Sequence, residues 1–172
     1  MKKMMIEIAV GIVLPIFCAL AQVQTPLFTR ADSLSGMLSP ERTCYDLTYY
    51  HLDVKIDPAD SSVRGSNAIY FKVVKSFDRM QIDLFKNMKI EKIVLDDGHS
   101  VPFTREWNAV FIQFPHRLEP NAMHHITVFY GGMPIVAKRP PWDGGMTWEK
   151  DSAGNPWVVV TSQGTGASLW WP

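Results

Sequence analysis

The residues of this chain best suited to metal chemistry are its five histidines, which are His51, His99, His116, His124 and His125. A catalytic zinc site of the metallopeptidase kind needs two histidines one helical turn apart with a glutamate between them, so that both rings face one metal and the carboxylate reaches the bound water. No His-Glu-x-x-His is present. His124 and His125 are adjacent on a predicted strand and should point to opposite faces. The sequence therefore predicts no metal ligands and no cofactor within this chain.

Nucleophilic and acid–base chemistry are equally poorly supported. The Gly-x-Ser-x-Gly motif of serine hydrolases is missing, and Gly164-x-Gly166 lacks the third glycine and the following helix that cradle phosphate. The Asp96-Asp97 pair has the composition of a solvated hairpin turn. Cys44 has no partner fixed by the sequence, so we interpret it as structural or incidental. We predict no catalytic residue here and no activity for the chain by itself.

The N-terminus predicts export. Lys2 and Lys3 precede an apolar run from Ile8 to Ala19, and Ala19-Leu20-Ala21 is the small-x-small pattern that a signal peptidase accepts. The run is shorter than the ~20 apolar residues of a membrane-spanning helix. We therefore expect residues 1–21 to be a signal peptide, the mature chain to be periplasmic or extracellular, and no stable membrane span to remain after cleavage.

Charge gives no sign of a polyanionic partner. Lys plus Arg balance Asp plus Glu at 17 each, so no global field attracts nucleic acid or an anionic membrane. Nucleic-acid binding is not expected.

Alternating apolar and polar residues indicate the elements that hold these side chains. Leu52, Val54 and Ile56 predict a strand with one buried face. Comparable runs follow at residues 63–74, 80–84, 90–95, 101–104, 109–114, 122–130, 146–150 and 157–161, and no long stretch keeps helical spacing. The pattern predicts an all-β fold, with a saddle-like, mainly antiparallel sheet or sandwich over residues 45–172. Residues 22–44 lack a sustained period and predict an extended leader.

Tryptophans are concentrated near the C-terminal end of the sequence: Trp142, Trp148, Trp157, Trp170 and Trp171. So much apolar area in one region favours a partner surface.

Several segments occur in a specific order and spacing: Tyr45-Asp46-Leu47, Tyr49 to Val54, Val63-Arg64-Gly65-Ser66, Met80 to Leu84, Val128 to Gly132, and the run from Gly145 to Pro172. Together they resemble the N-terminal β-domain of aminopeptidase N-like zinc metallopeptidases, and the last run is similar to the bacterial branch of that family. In that family the domain packs on a thermolysin-like catalytic domain that carries the zinc site. The resemblance implies that zinc belongs to the intact parent enzyme and that the catalytic domain is missing from this chain. The missing catalytic domain is then the expected partner of the β-domain.

The resemblance also implies substrate-binding residues. Ser162-Gln163-Gly164 matches a glutamine-containing loop that lines the first substrate pocket of the family. Gln163 would then offer its amide oxygen to the ammonium group at a peptide's N-terminus, and Thr165 would line the same pocket. The alternative interpretation is that Gln163 only closes backbone bonds in a glycine-rich turn.

Two functions remain open at this point. The first is the non-catalytic N-terminal domain of an exported zinc aminopeptidase. The second is a free-standing secreted β-sandwich that acts as an adhesion module or a carbohydrate-binding module through exposed tryptophans.

Overall fold

A computed structural model describes residues 27–172. The predicted signal peptide, residues 1–21, and residues 22–26 of the predicted leader lie outside this part. Two short helices, nine strands and one 3-10 turn follow one another in the described residues: α1 Arg30–Gly36, α2 Pro40–Thr43, β1 Tyr45–Asp57, β2 Ser62–Val73, β3 Phe77–Asp83, β4 Met88–Leu95, β5 Phe103–Glu106, β6 Ala109–Leu118, β7 Met123–Gly132, β8 Gly145–Lys150, β9 Pro156–Thr161 and the turn Ala167–Leu169.

The strands form three antiparallel sheets. The largest has the order β1-β2-β7-β4, the second β3-β6-β5, and β8 and β9 form a separate hairpin. One apolar core contains inward side chains of β2 and β7 from the first sheet and of β3 and β6 from the second. The prediction of an all-β, mainly antiparallel fold is confirmed.

Core positions in the middle of the sheets follow the predicted alternation. Ile126, Val128 and Tyr130 on β7 are fully buried, as are Val110 and Ile112 on β6. The turn predicted at residues 96–98 is also present, with Gly98 at a φ of 85° and its N–H donating to the Leu95 carbonyl at 3.0 Å. Period two therefore indicates the buried face of β7, whereas on β6 the opposite face is also buried, by the contact of Ala109 and Phe111 with Leu34.

The face of β1 that was predicted to be buried is only partly buried in the structure, which is a correction. Val54 is partly buried and packs against the core. Leu52 and Ile56 are 38% and 40% exposed, although their cross-strand partners on β2, Asn67 and Val63, are buried. The face was identified correctly, but β1 is an edge strand of its sheet, and Leu52 and Ile56 near its far end keep much of their surface exposed. Alternation predicts which side chains share a face, and it does not predict what lies over them.

A second correction concerns the short strand predicted at residues 101–104. The observed strand is β5, Phe103–Glu106, and it pairs with β6 in the second sheet. Before it, Ser100 forms only an isolated bridge with Val94 of β4. The Pro102 ring, which removes a backbone donor, marks the point where the chain leaves the first sheet for the second.

Residues 22–44 were predicted to be an extended leader that drapes over the domain or stays mobile. In residues 27–44 the extended conformation is wrong, because helices form there, but the segment does lie over the domain. Residues 27–44, here called the strap, contain α1 and α2. Helix α1 begins with a capping box in which Thr29 and Asp32 each accept the other's backbone N–H. Both helices are too short to show a sustained period, so local caps rather than periodicity define them.

The strap is held against the second sheet by a small apolar cluster and a polar network. Leu34 is buried against Ala109 and Phe111. The buried Gln81 donates Nε2 to the Leu34 carbonyl at 3.0 Å, and Arg42 donates to the same carbonyl at 2.9 Å. Gln81 Nε2 also donates to Asp83 at 3.0 Å, so the buried amide is paired both within its own sheet and with the strap.

Replacing Leu34 with alanine is expected to release the strap. The change removes the side chain by which α1 packs on Ala109 and Phe111 and should cost about 2 kcal/mol of local stability. Leu38→Ala is the matched control, because Leu38 is 79% exposed and belongs to the same segment. Hydrogen exchange of the α1 and α2 amides measures the effect, and equal protection in the two variants would contradict it.

No helix within residues 27–172 has both the length and the apolar character needed to cross a bilayer.

Candidate functional site

The predicted substrate-binding residues lie on a loop between β9 and the 3-10 turn. Gly164 and Gly166 have φ values of 71° and 72°, a region that glycine adopts without strain. The N–H groups of Thr165 and Gly166 both donate to the Ser162 carbonyl, at 3.2 and 3.0 Å. Backbone groups therefore close this loop, here called the Gln163 loop, and the exposed Gln163 side chain projects from it.

A second loop, residues 138–145, is organised by a single carboxylate. Asp143 accepts the backbone N–H groups of Lys138 and Arg139 at 2.7 and 2.8 Å. Lost hydration opposes ionisation of Asp143, but the N–H groups of Arg139 and Lys138 outweigh it and hold the pKa of this carboxyl below its usual value. An ionised Asp143 thus fixes the turn, here called the Trp142 loop after the side chain at its apex.

The two loops touch through a glycine. Gly144 lies directly against the side chain of Thr165, so that even a methyl group at position 144 would overlap the threonine. The Thr165 hydroxyl is buried and has no hydrogen-bond partner in the described residues. The Thr165 side chain thus joins the Gln163 loop to the Trp142 loop by direct contact with Gly144, and its predicted role in the pocket stays a prediction.

Trp142 is the functional candidate that the sequence did not single out. Its side chain is 76% exposed, although its backbone N–H is held by the Arg139 carbonyl at 2.9 Å. The sequence shows a Pro-Pro-Trp-Asp-Gly-Gly run but does not show that this run contacts the Gln163 loop. The available signals were its place among the C-terminal tryptophans and its turn-forming neighbours, and neither one indicates contact with the Gln163 loop.

The segment after the Gln163 loop is anchored to both large sheets. The Ser168 carbonyl accepts the Phe85 N–H at 2.8 Å, next to β3, and Leu169 is fully buried. On the first sheet, the buried Asn67 donates its side-chain amide to the Pro172 carbonyl. Trp171 packs edge-on against Tyr50 of β1, with ring centroids 4.9 Å apart. These anchors fix the position of the Gln163 loop.

Exposure of the tryptophans differs along this region. Trp142 and Trp157 are the exposed ones, whereas Trp148, Trp170 and Trp171 are partly buried and pack against the core. Two of the five tryptophans therefore leave their indole accessible, and the predicted partner surface stays a prediction. Amphipathic side chains of the C-terminal run instead complete the domain's own core.

The histidines do not converge. His124 lies near Phe71 and Asp96, whereas His125 stacks on Tyr70 with ring centroids 4.8 Å apart, so the prediction that they occupy opposite faces is confirmed. In the part of the chain that the structure describes, no group of three or more His, Cys, Asp or Glu side chains is arranged to hold a metal ion.

Cys44 is a poor nucleophile in this fold. It is buried in the core at the start of β1, and burial, which disfavours the thiolate, raises the pKa of the thiol to about 11. Its interpretation as a structural residue is consistent with this environment.

No protein-family model matches this sequence, and no curated protein matches it either.

Solved structures do match. The M1 zinc metallopeptidase from Deinococcus radiodurans shares 18% identity and a TM-score of 0.51 over 64% of this chain and 27% of its own. A mutant of that enzyme bound to a Tyr-Ser-Ala substrate gives 17% identity and a TM-score of 0.52 over 67% of this chain and 28% of its own. Yeast LTA4 hydrolase in complex with bestatin gives 13% identity and a TM-score of 0.55 over 75% of this chain and 20% of its own.

These likenesses concern the fold. The chain spans 20–28% of the length of the enzymes that it matches. Its β-structure is similar to one part of M1 zinc metallopeptidases, consistent with their N-terminal domain.

Proposed function

We propose that this chain is the N-terminal, non-catalytic β-domain of an exported zinc aminopeptidase. In this proposal it packs on the catalytic domain and lines the pocket that receives the N-terminus of a peptide. The observation that carries the proposal is the fold likeness to M1 zinc metallopeptidases, which covers 64–75% of this chain and a much smaller share of each enzyme. The ordered segments from Tyr45 to Pro172 support the same family independently of the fold.

The described residues do not fit zinc ligation, since their histidines are dispersed and no cluster of ligands is present among them. The proposal therefore assigns zinc, and the hydrolytic step that zinc supports in metallopeptidases, to the catalytic domain of the parent. The contribution of this chain is confined to shape and to substrate contact.

The uncovered face of β1 supports docking of another domain. Tyr50, Leu52 and Ile56 form a row on the core side of the first sheet and remain partly exposed. Trp171 already covers Tyr50 at one end of this row. Burial of apolar surface contributes about 25 cal/mol per Å², so a domain seated here would be favoured. Continuity of this row with the domain's own core suits a permanent intrachain contact better than a transient one.

Gln163 supports the pocket-lining role. The loop is closed by hydrogen bonds between backbone groups, and the Gln163 side chain is exposed. Within residues 27–172 its amide oxygen has no hydrogen-bond partner, so it could accept a charge-assisted hydrogen bond from a substrate ammonium. Thr165 would act behind it, by fixing the loop against Gly144 rather than by contacting the peptide.

Export belongs to the same proposal. Residues 1–21 have the features of a cleavable signal peptide, and an exopeptidase that acts on peptides outside the cytoplasm would need one. Release of the mature chain to the periplasm or the medium follows from it.

A carbohydrate-binding or adhesion module is the second candidate. The exposed indoles of Trp142 and Trp157 favour it, because aromatic faces are common stacking platforms for sugars. It predicts saturable binding of an oligosaccharide to this chain alone, whereas the peptidase proposal predicts none.

The experiment that tests the proposal is to follow the reading frame beyond the codon for Pro172 and to assay the complete product. A frame that continues into Gly-x-Met-Glu-Asn and His-Glu-x-x-His, with a product that removes N-terminal residues from peptides, would support it. A stop codon after Pro172 together with a soluble, inactive product would contradict it.

A further inference from the structure

We propose that the free edge of β1 binds a second copy of this chain, with the two β1 strands antiparallel and the twofold axis at Val54. Residues 51–57 of each copy then pair, and the two four-stranded sheets join into one. This inference goes beyond the proposed function and does not depend on it. It uses the backbone edge of β1, whereas the catalytic domain is proposed to cover the core-side face.

The free edge of β1 lacks the features that usually protect an edge strand. Within residues 27–172, β1 pairs with β2 alone, so every second residue of β1 directs its N–H and C=O groups away from the sheet. Short length, proline and bulges commonly block pairing at such an edge. β1 has 13 residues, and its register shift lies before Tyr49, which leaves residues 49–57 regular and without proline.

The opposite edge of the same sheet is protected. β4 has 8 residues and a register shift between Ile90 and Lys92. The chain that follows β4 also covers part of its edge, because the Val101 N–H donates to the Ile93 carbonyl at 3.0 Å. Among the described residues, β1 is therefore the edge of this sheet that is open to a partner strand.

The charges of β1 select the register of pairing. On the face of β1 away from the core, the exposed His51, Asp53 and Lys55 alternate with apolar residues, and Asp57 ends the row. With the axis at Val54, each Asp53 lies opposite the partner's Lys55, and each His51 lies opposite the partner's Asp57. An axis at Asp53 or at Lys55 would instead set like charges opposite each other, which destabilises a sheet.

Within one copy, Lys55 has an unfavourable neighbour. Its cross-strand partner on β2 is Arg64, so two cations lie side by side on the same face. In the part of the chain that the structure describes, neither Lys55 nor Asp53 takes part in a salt bridge. The partner's Asp53 would supply a compensating carboxylate from the side of Lys55 that β2 leaves open.

The apolar side chains of β1 agree with the same register. Leu52 and Ile56 are 38% and 40% exposed, and an axis at Val54 sets each Leu52 opposite the partner's Ile56. Directly opposed aliphatic side chains stabilise a strand pair. An axis at Leu52 would leave Lys55 opposite Tyr49, without an acidic partner. Charge and apolar contacts therefore favour the axis at Val54.

Sedimentation velocity of the full chain over a range of concentrations tests the pairing. The wild type should form a reversible dimer and no larger species. Lys55→Asp sets two carboxylates opposite each other on both sides of the axis and should raise the dimer Kd about 10-fold. It should leave the single copy folded, because it replaces the like-charge pair with Arg64 by opposite charges. Adding Asp53→Lys restores opposite charges in the same register and should restore the wild-type Kd.

Lys89→Asp is the matched control for these charge variants. Lys89 is exposed on β4, at the protected edge of the same sheet. The substitution changes the net charge by the same amount as Lys55→Asp, and it should leave the dimer Kd unchanged.

Disulfide formation tests the position of the axis. The Cα atoms of directly opposed strand residues are about 4.5–5.5 Å apart, which a disulfide can span. Val54→Cys should therefore give a covalent dimer in oxidised glutathione. Leu52→Cys is the control, because its two copies would lie four residues apart along the strands, or about 13 Å. The native cysteines are common to both variants and to the wild type.

Each result supports or overturns the inference. A chain that stays monomeric up to about 1 mM would overturn it, as would species larger than a dimer or a dimer whose Kd ignores Lys55→Asp. Leu52→Cys dimers that form as readily as Val54→Cys dimers would overturn it too, because another register would then be in use. Thermal melting checks that each variant is folded, and the charge variants decide the matter if Val54→Cys is not. None of these measurements depends on zinc or on activity, so a failure here leaves the proposed function standing.

Discussion

Replacing Gly65 with alanine is expected to destabilise the domain by about 3 kcal/mol or more. Gly65 lies on β2 opposite Val54 of β1. A Cβ atom there would overlap the Asp53 carbonyl and approach the Val54 Cα to 3.0 Å. Both atoms belong to the backbone of β1, so they cannot move aside as a flexible side chain would. The clash must separate β1 from β2 or distort the pairing along much of β1.

Gly131→Ala provides the control for this prediction. Gly131 lies on the neighbouring strand β7, beside Arg64, and a Cβ there would meet its nearest atom, the Val63 carbonyl oxygen, at 3.4 Å. That is an ordinary contact, and alanine also loses less backbone entropy on folding than glycine. Urea unfolding should therefore show a change of less than about 1 kcal/mol for Gly131→Ala. Similar midpoints for the two variants would show that the close approach of β1 and β2 at Gly65 is not a constraint of the fold.

The second large effect is expected at Gln163. In the complete enzyme, Gln163→Ala should lower kcat/KM for peptides with a free N-terminus by about 10- to 100-fold, the value of one hydrogen bond to a charged group. Gln163→Glu keeps an acceptor in the same place and should retain more activity than Gln163→Ala. Steady-state kinetics on a Leu-initiated tripeptide measure the difference.

Ser162→Ala is the matched control for Gln163. Ser162 is an exposed neighbour whose carbonyl, and not its side chain, closes the loop. Alanine there should leave both kcat and KM near the wild-type values. If Gln163→Ala behaves like Ser162→Ala, Gln163 has no contact with the substrate, and the interpretation of Gln163 as an ordinary turn residue is correct.

The interior of the first sheet could be predicted from the sequence, because on β7 the alternating apolar side chains are also the buried ones. Ile126, Val128 and Tyr130 lie between two neighbouring strands and beneath a second sheet, so period two alone identifies them. The same rule fails for Leu52 and Ile56. The pattern correctly identifies the face that they share, but whether other parts of the protein cover that face is a tertiary feature that no local pattern encodes.

The strap shows a different limit. Periodicity needs several turns to be visible, and α1 has seven residues and α2 four. The information that defines them lies in the Thr29–Asp32 capping box and in Leu34, which finds its partners about 75 residues later, at Ala109 and Phe111. A composition rich in Ser and Pro therefore predicted an extended segment where capped helices form.

The candidate site was only partly predictable. Gln163 and Thr165 came from a resemblance in a short ordered run, and the structure adds that Thr165 contacts Gly144 while Gln163 is exposed. Trp142 could not be found in this way, because its relation to Gln163 passes through the contact between Gly144 and Thr165. That contact joins loops separated by the whole β8–β9 hairpin.

The most direct test of the proposed function is to measure zinc content and aminopeptidase activity of purified residues 22–172, next to those of the longer product that the proposal requires. We expect no stoichiometric zinc and no hydrolysis of aminoacyl substrates by the chain alone, and chelator-sensitive hydrolysis by the complete product. One zinc per chain with chelator-sensitive turnover by residues 22–172 would contradict the account, because it would place the metal centre inside a domain that we describe as a cover.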